Sequence, residues 1–234
     1  MAQHAAPPLP EEPPGQPEVP LAVRAQLLAT EHWGLLASRS TAQSEVLTRI
    51  SVFLTLVSAS LLSLALVGQA TDFSEQFSVF AILVLAVAVL VGVLTQIRVF
   101  SVGMEDLMYV LAMNRLRGAY VEIDPAIARY FLASPHDDRA GSVRTYYFFG
   151  GRSDFSQVAG SSMVFITAVE SVLLGLLVST VAGVASAPSS LSVVLGVVGG
   201  IGCFAVSMWL GQRTYTSAWK KYRSEFPTPP VDER

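Results

Sequence analysis

Residues 77–99 read FSVFAILVLAVAVLVGVLTQIRV, and this stretch decides the fold. Its one charged residue is Arg98, next to its end, and it matches the ~20 residues a helix needs to cross the ~30 Å hydrocarbon core of a bilayer. Working outward, residues 50–67 are apolar and uncharged, and residues 163–185 and 191–210 hold a single acid, Glu170. In lipid the backbone polar groups of such segments must be satisfied within the segment, so each reads as a helix. Residues 68–76 and 186–190 are too short to be anything but tight turns, with Asp72 and Glu75 marking the first. The expected fold is therefore all-α: a polytopic membrane protein of four transmembrane helices in two antiparallel hairpins.

Composition agrees. Hydrophobic residues are 52% of the 234 and charged residues 14%, against about 25% charged in a soluble domain. A net charge of -3 without a basic stripe argues against nucleic acid as a partner. The partner this composition demands is a lipid bilayer. None of the 15 Lys and Arg lies in either hairpin turn, so the positive-inside rule puts both termini in the cytoplasm, which makes this a multi-pass protein of a plasma (inner) membrane.

Residues 1–20 carry seven prolines and no apolar run. They read as a Pro-rich disordered tail rather than a signal peptide, leaving the first hydrophobic helix as its own insertion signal. Residues 21–45 form an amphipathic cytoplasmic helix, with Leu21, Leu28 and Leu35 at helical spacing. Ser40 followed by Gln43 resembles a capping box, which predicts a break near Ser40. The first hairpin then covers 46–100, a cytoplasmic helical region 101–160, the second hairpin 161–212 and a cytoplasmic tail 213–234. The apolar pattern continues past residue 100 through Leu107, Leu111 and Leu116, and Asp124–Pro125 supplies an N-cap and N1 pair for a short helix over 126–132. Tyr146 to Gly151 and the set Trp209, Tyr215, Trp219 and Tyr222 read as aromatic belts at headgroup level.

Within the spans the strongest pattern is a ladder of small residues. Ser171, Gly175, Ser179 and Gly183 recur every fourth position, and Ser192, Gly196 and Gly200 repeat the device in the last span. Such spacing means close helix contact. Three partners are open: the other helix of the same hairpin, a second copy of the chain, or the lumen of a narrow pore. A weaker ladder, Ser51, Thr55, Ala59 and Ser63, lies in the first span.

Glu170 is the one acid deep in a span. Intramembrane acids are expensive and mark ion or proton pathways, or else pair with a neighbour. The candidate set is Glu170 with Gln96, Arg98 and Arg49, all in the same half of the membrane, either as an ion or proton site or as a structural pair.

His136, Asp137 and Asp138 are adjacent in a loop, a poor arrangement for converging on one metal, and read as an exposed acidic turn. His32 reads as a packed residue and the single cysteine, Cys203, as a buried apolar one. No metal site or cofactor is expected. There is no Walker loop, GxSxG or HExxH, so the expectation is not an enzyme. No span contains proline, which argues against the broken helices of transporters.

The stretches LLATEHWGLLASRSTAQSEVLTRISVFLTLVSASLLSLALV (27–67) and MNRLRGAYVEIDPAIARYFLASPHDD (113–138) resemble bacterial four-span membrane proteins of unassigned function from high-GC genomes. A cytoplasmic helix running into a two-helix hairpin is also similar in architecture to the SLATT-type effector domains, which implies membrane pore formation. The expected function is a homo-oligomeric channel or pore, and the alternative is a non-conducting scaffold that recruits a cytoplasmic protein partner.

Overall fold

The computed structural model describes residues 19–148 and 161–230. The Pro-rich tail over 1–18 and Phe149, Gly150 and Gly151 of the first aromatic stretch lie outside the described residues. Those described are helical, with no strand among them: α1 (Leu21–Ala70), α2 (Glu75–Ile123), a 3-10 turn (Pro125–Tyr130), α3 (Arg139–Tyr146), α4 (Ser162–Val184) and α5 (Ser189–Lys221). Four of these helices, α1, α2, α4 and α5, are long and apolar enough to cross a membrane, and the protein is a multi-pass membrane protein.

At 1.5 Å per residue the 50 residues of α1 span about 75 Å, more than twice the thickness of a hydrocarbon core. Both α1 and α2 therefore continue well beyond the lipid, and the described charged residues other than Asp72, Glu75 and Glu170 lie on that continuation or on the segments beside it, the base of the molecule. The expected break at Ser40 is absent, because the helix has no free end there to cap. Thr41 donates back to the Ala37 carbonyl at 3.0 Å, while the Gln43 amide reaches across to Asp106 of α2 at 2.8 Å instead of back to Ser40. Arg39 grips the same carboxylate at 2.6 Å, so contacts with α2 carry α1 straight through.

The turns are set locally. Asp72 and Phe73 both take left-handed backbone (φ 49° and 54°) between α1 and α2, and the Phe73 ring folds back on Gly68, where a Cβ would lie 2.5 Å from it. Ser74 caps α2. At the far end Asp124 accepts from the Ala126 amide at 2.9 Å, as its pairing with Pro125 anticipates, but the helix it starts is 3-10 and stops at Tyr130.

Helix α2 is the centre of the bundle. It packs against α1 on one side and α4 on another, and α4 in turn packs against α5. The core lies where α1, α2 and α4 meet, with Phe53, Ala88, Ile166 and Leu173 essentially sealed off. Outward, large apolar side chains such as Leu62, Leu83, Leu90, Val194 and Ile201 are exposed. On a soluble protein a continuous apolar surface of this kind would drive association, but here it meets lipid.

Candidate functional site

Between α4 and α5 the two ladders of small residues face each other. A Cβ on Gly175 would lie 2.8 Å from the Gly196 carbonyl oxygen, one on Gly196 2.6 Å from that of Gly175, and one on Gly200 2.8 Å from that of Ser171. The two backbones are as close as missing side chains allow, which is how helices associate in lipid, where burial from water contributes nothing. Ser179 also touches this seam, and Ser192 lies 4.0 Å from the Cβ position of Gly183. The outer side of the seam opens as an apolar groove of about 500 Å³, lined by Val172, Leu176, Val193, Val197 and Ile201 among others.

One residue from the seam, Glu170 turns the other way, into the junction of α1, α2 and α4. It is 1% exposed, and neither carboxylate oxygen has a hydrogen-bond partner among the described residues. The side chain fits only because α2 has a glycine opposite it: a Cβ at Gly92 would collide with the carboxylate and stand 3.1 Å from the Phe53 ring.

The residues expected around Glu170 go elsewhere. Arg98 donates to Glu45 and Glu105, both at 2.8 Å, and Arg49 pairs with Glu45 at 2.9 Å. These charges form a network at the start of the base, where water can reach them. Gln96 comes nearest to the expectation, donating to the Thr167 hydroxyl at 3.0 Å, one turn before Glu170 on α4. The structural pair thus forms among the other residues and leaves Glu170 out. The reason is reach: Arg49 and Arg98 find acids on their own level of the bundle, so neither has to extend into the apolar junction.

The base holds a second polar centre that the sequence reading misjudged. Asp137, expected on an exposed acidic turn, has no exposed surface. It accepts from Arg115 at 2.8 Å, Tyr222 at 2.9 Å, Ser224 at 2.5 Å and the Phe226 amide at 2.8 Å. Burial by itself would raise its carboxyl, but these donors together hold it well below the usual carboxylate range. Burial and the bond to Asp137 push Tyr222 up to about 12. Asp138 caps α3 through the Gly141 amide and accepts from Thr228 twice, at 2.7 and 2.8 Å. The Phe226 ring covers Gly118 of α2. The segment after α5 is thereby strapped to the base of α2.

Two of the aromatic residues expected at headgroup level belong to these networks instead. Tyr146 donates to Asp106 at 2.7 Å, and Tyr222 serves Asp137. Trp209 keeps an exposed position with the Arg213 guanidinium 5.3 Å over its ring. His32 stacks on Tyr120 at 6.2 Å, whereas Cys203 is half-buried rather than buried.

Among the described residues the first-span ladder has no partner. Ser51, Thr55, Ala59 and Ser63 are all exposed. The surface they belong to follows a different spacing from the one the sequence reading used. Thr30, Gly34, Ala37, Thr41, Ser44, Thr48, Ser51, Thr55 and Ser58 recur at alternating steps of four and three, and every one is exposed. Each of Thr41, Thr48, Ser51, Thr55 and Ser58 returns its hydroxyl hydrogen to a carbonyl one turn back, at 2.8–3.0 Å. The opposite face of α1, Val46, Ile50, Phe53 and Val57, is the one buried against the bundle. Counting every seventh position rather than every fourth would have found this stripe in the sequence.

Compared with protein-family models, curated proteins and solved structures, the chain matches none.

Proposed function

We propose that the chain works as a homo-oligomeric membrane channel whose copies meet through α1, with the hydroxyl stripe of that helix turned toward the shared axis. The observation that carries this reading is the unbroken four-three spacing of small and hydroxyl residues from Thr30 to Ser58, exposed along its whole length. A straight helix drifts about 20° per heptad relative to such a repeat, so keeping it for four heptads suits helices that wind around one another. Where the stripe lies in lipid, at Ser51, Thr55 and Ser58, small residues permit close approach of helices. The hydroxyls of Thr30, Thr41, Thr48, Ser51, Thr55 and Ser58 have already given their hydrogens to their own helix, so their oxygens are free to face a passing cation or water. A polar groove bordered by Ser40, Thr41, Ser44, Glu45, Thr48 and Arg49 lies on the same side, at the level where the helix enters the base, and would serve as a mouth.

This reading seats the function in the first hairpin, although the second carries the stronger ladders. The ladders of α4 and α5 are occupied by each other, whereas the stripe on α1 is free. The test is ion flux from proteoliposomes, comparing the parent with Thr55→Leu. Flux that falls at least tenfold in a variant with unchanged melting supports the reading. A well-folded parent that shows no flux over protein-free liposomes overturns it.

A second reading, a scaffold that binds a partner through the base, has one observation in its favour. Leu27, Leu36 and Trp33 are exposed on the part of α1 beyond the lipid, Trp33 to 71%. Under that reading Trp33→Ala would abolish partner capture and leave oligomeric state unchanged.

A further inference from the structure

We infer that Glu170 is a proton-binding site: a carboxylic acid that carries its proton at neutral pH in the junction of α1, α2 and α4, and whose ionisation drives α2 and α4 apart. The inference is independent of whether the chain conducts.

The niche has no means of holding a charge. Among the described residues neither carboxylate oxygen has a hydrogen-bond partner, and the side chain is 1% exposed. An isolated charge taken out of water costs far more than a neutral polar group in the same place. Among the described residues no cation is positioned to offset it. Helix α1 presents Phe53, and its nearest ionisable residues, Arg49 and Glu45, pair with each other and with Arg98. Helix α2 presents Gly92, and Arg98, the nearest ionisable group along it, is held between Glu45 and Glu105. Helix α4 has no other ionisable residue, and before Arg213, which lies over Trp209, α5 has only the thiol of Cys203, which cannot supply a positive charge.

A metal cation does not fit the same place. Hard cations take about six oxygen ligands or more, and the junction offers the two oxygens of Glu170. The Thr167 hydroxyl one turn away donates to the Met163 carbonyl at 2.8 Å and accepts from Gln96. Ser171, whose hydroxyl is free, turns its backbone toward Gly200 on the opposite side of α4. A proton needs no coordination shell, and a neutral acid is what the niche tolerates.

The coupling to helix packing follows from Gly92. Because the carboxyl fills the space where a Cβ would be, α2 and α4 are in contact through it. Once ionised, the group must gain water, and at this position water enters only if the two helices part.

The test is infrared spectroscopy of the full chain in lipid, as the difference between the parent and Glu170→Gln at neutral pH. A protonated-carboxyl C=O stretch in the parent, absent from the variant and replaced by carboxylate bands at alkaline pH, is the expected result. Carboxylate bands already present at neutral pH would overturn the inference. If the Gln variant does not fold, the parent with isotope-labelled glutamate decides the question, read with dicyclohexylcarbodiimide, which modifies protonated carboxyls in apolar surroundings. An adduct on the Glu170 peptide that disappears at alkaline pH supports the assignment. A labelled carboxyl spectrum with no protonated component at neutral pH, together with no adduct, refutes it.

Discussion

Gly92 of α2 and Glu170 of α4 share one volume: the carboxylate occupies the space that any side chain at position 92 would need. Gly92→Ala is therefore expected to overpack the junction and lower stability by about 1–3 kcal/mol. In Gly92→Ala combined with Glu170→Ala the new methyl group enters vacated space, so the double variant should lose less than the sum of the singles. Thermal melting of the four proteins in one detergent checks this, and strict additivity would mean that the two residues do not touch.

Close approach of α4 and α5 makes a sharper distinction among glycines. Gly175→Leu and Gly196→Leu place side chains against backbone oxygens less than 3 Å away and should each cost about 3 kcal/mol or more, at the upper end for overpacking. Gly202→Leu, on the same hairpin, meets nothing within 4 Å and should stay within about 0.5 kcal/mol of the parent. Equal melting temperatures for all three would count against the packed seam.

If copies associate through α1, thiols placed on its stripe should find each other. In a Cys203→Ser background, Ser51→Cys and Thr55→Cys are expected to give disulfide-linked dimers in membranes under mild oxidation. Val57→Cys, on the face buried against the bundle, should give none. Dimers from Val57→Cys alone would place the interface elsewhere and remove the basis of the proposed channel.

The strap at the base should be sensitive to acid. The carboxyl of Asp137 is held below its ordinary value in the folded protein, so the folded state binds fewer protons than the unfolded one. Its contribution is fully present above the unfolded carboxyl pKa of about 4 and is lost as pH falls toward the folded value. Asp137→Ala leaves Arg115, Tyr222 and Ser224 without their shared acceptor and should cost about 3 kcal/mol. Trypsin cleavage after Arg223, slow in the parent at neutral pH, should speed up in this variant. A cleavage rate that does not change would show that the strap is held without Asp137, by Thr228 on Asp138 and Phe226 on Gly118.

Four spans and their pairing were legible because a bilayer imposes a length and a composition on whatever crosses it, and residues 77–99 meet both without reference to any neighbour. The ladder through Gly175 and Gly196 was legible as a close contact for the same reason, since missing side chains are a local fact. Its partner was not, because one helix face cannot reveal which other face meets it. Ser40 and Gln43 looked like a helix start on local chemistry, and the contacts of Arg39 and Gln43 with Asp106, 63 and more residues away in the chain, overrode it. Asp137 looked exposed because most of the donors that bury it, Tyr222, Ser224 and Phe226, lie 85 to 89 residues further along the chain.

The sequence by itself determined the four spans, the turns that pair them and the presence of one acid in lipid, all consequences of hydropathy and backbone satisfaction within single segments. Only the tertiary structure decided that Glu170 stands alone against Gly92 while Arg49 and Arg98 are taken by Glu45 and Glu105. It alone decided, too, that the free small-residue face belongs to α1 and not to α4. Both outcomes depend on which side chains share a level of the bundle, and that is set by how four helices pack rather than by any one of them.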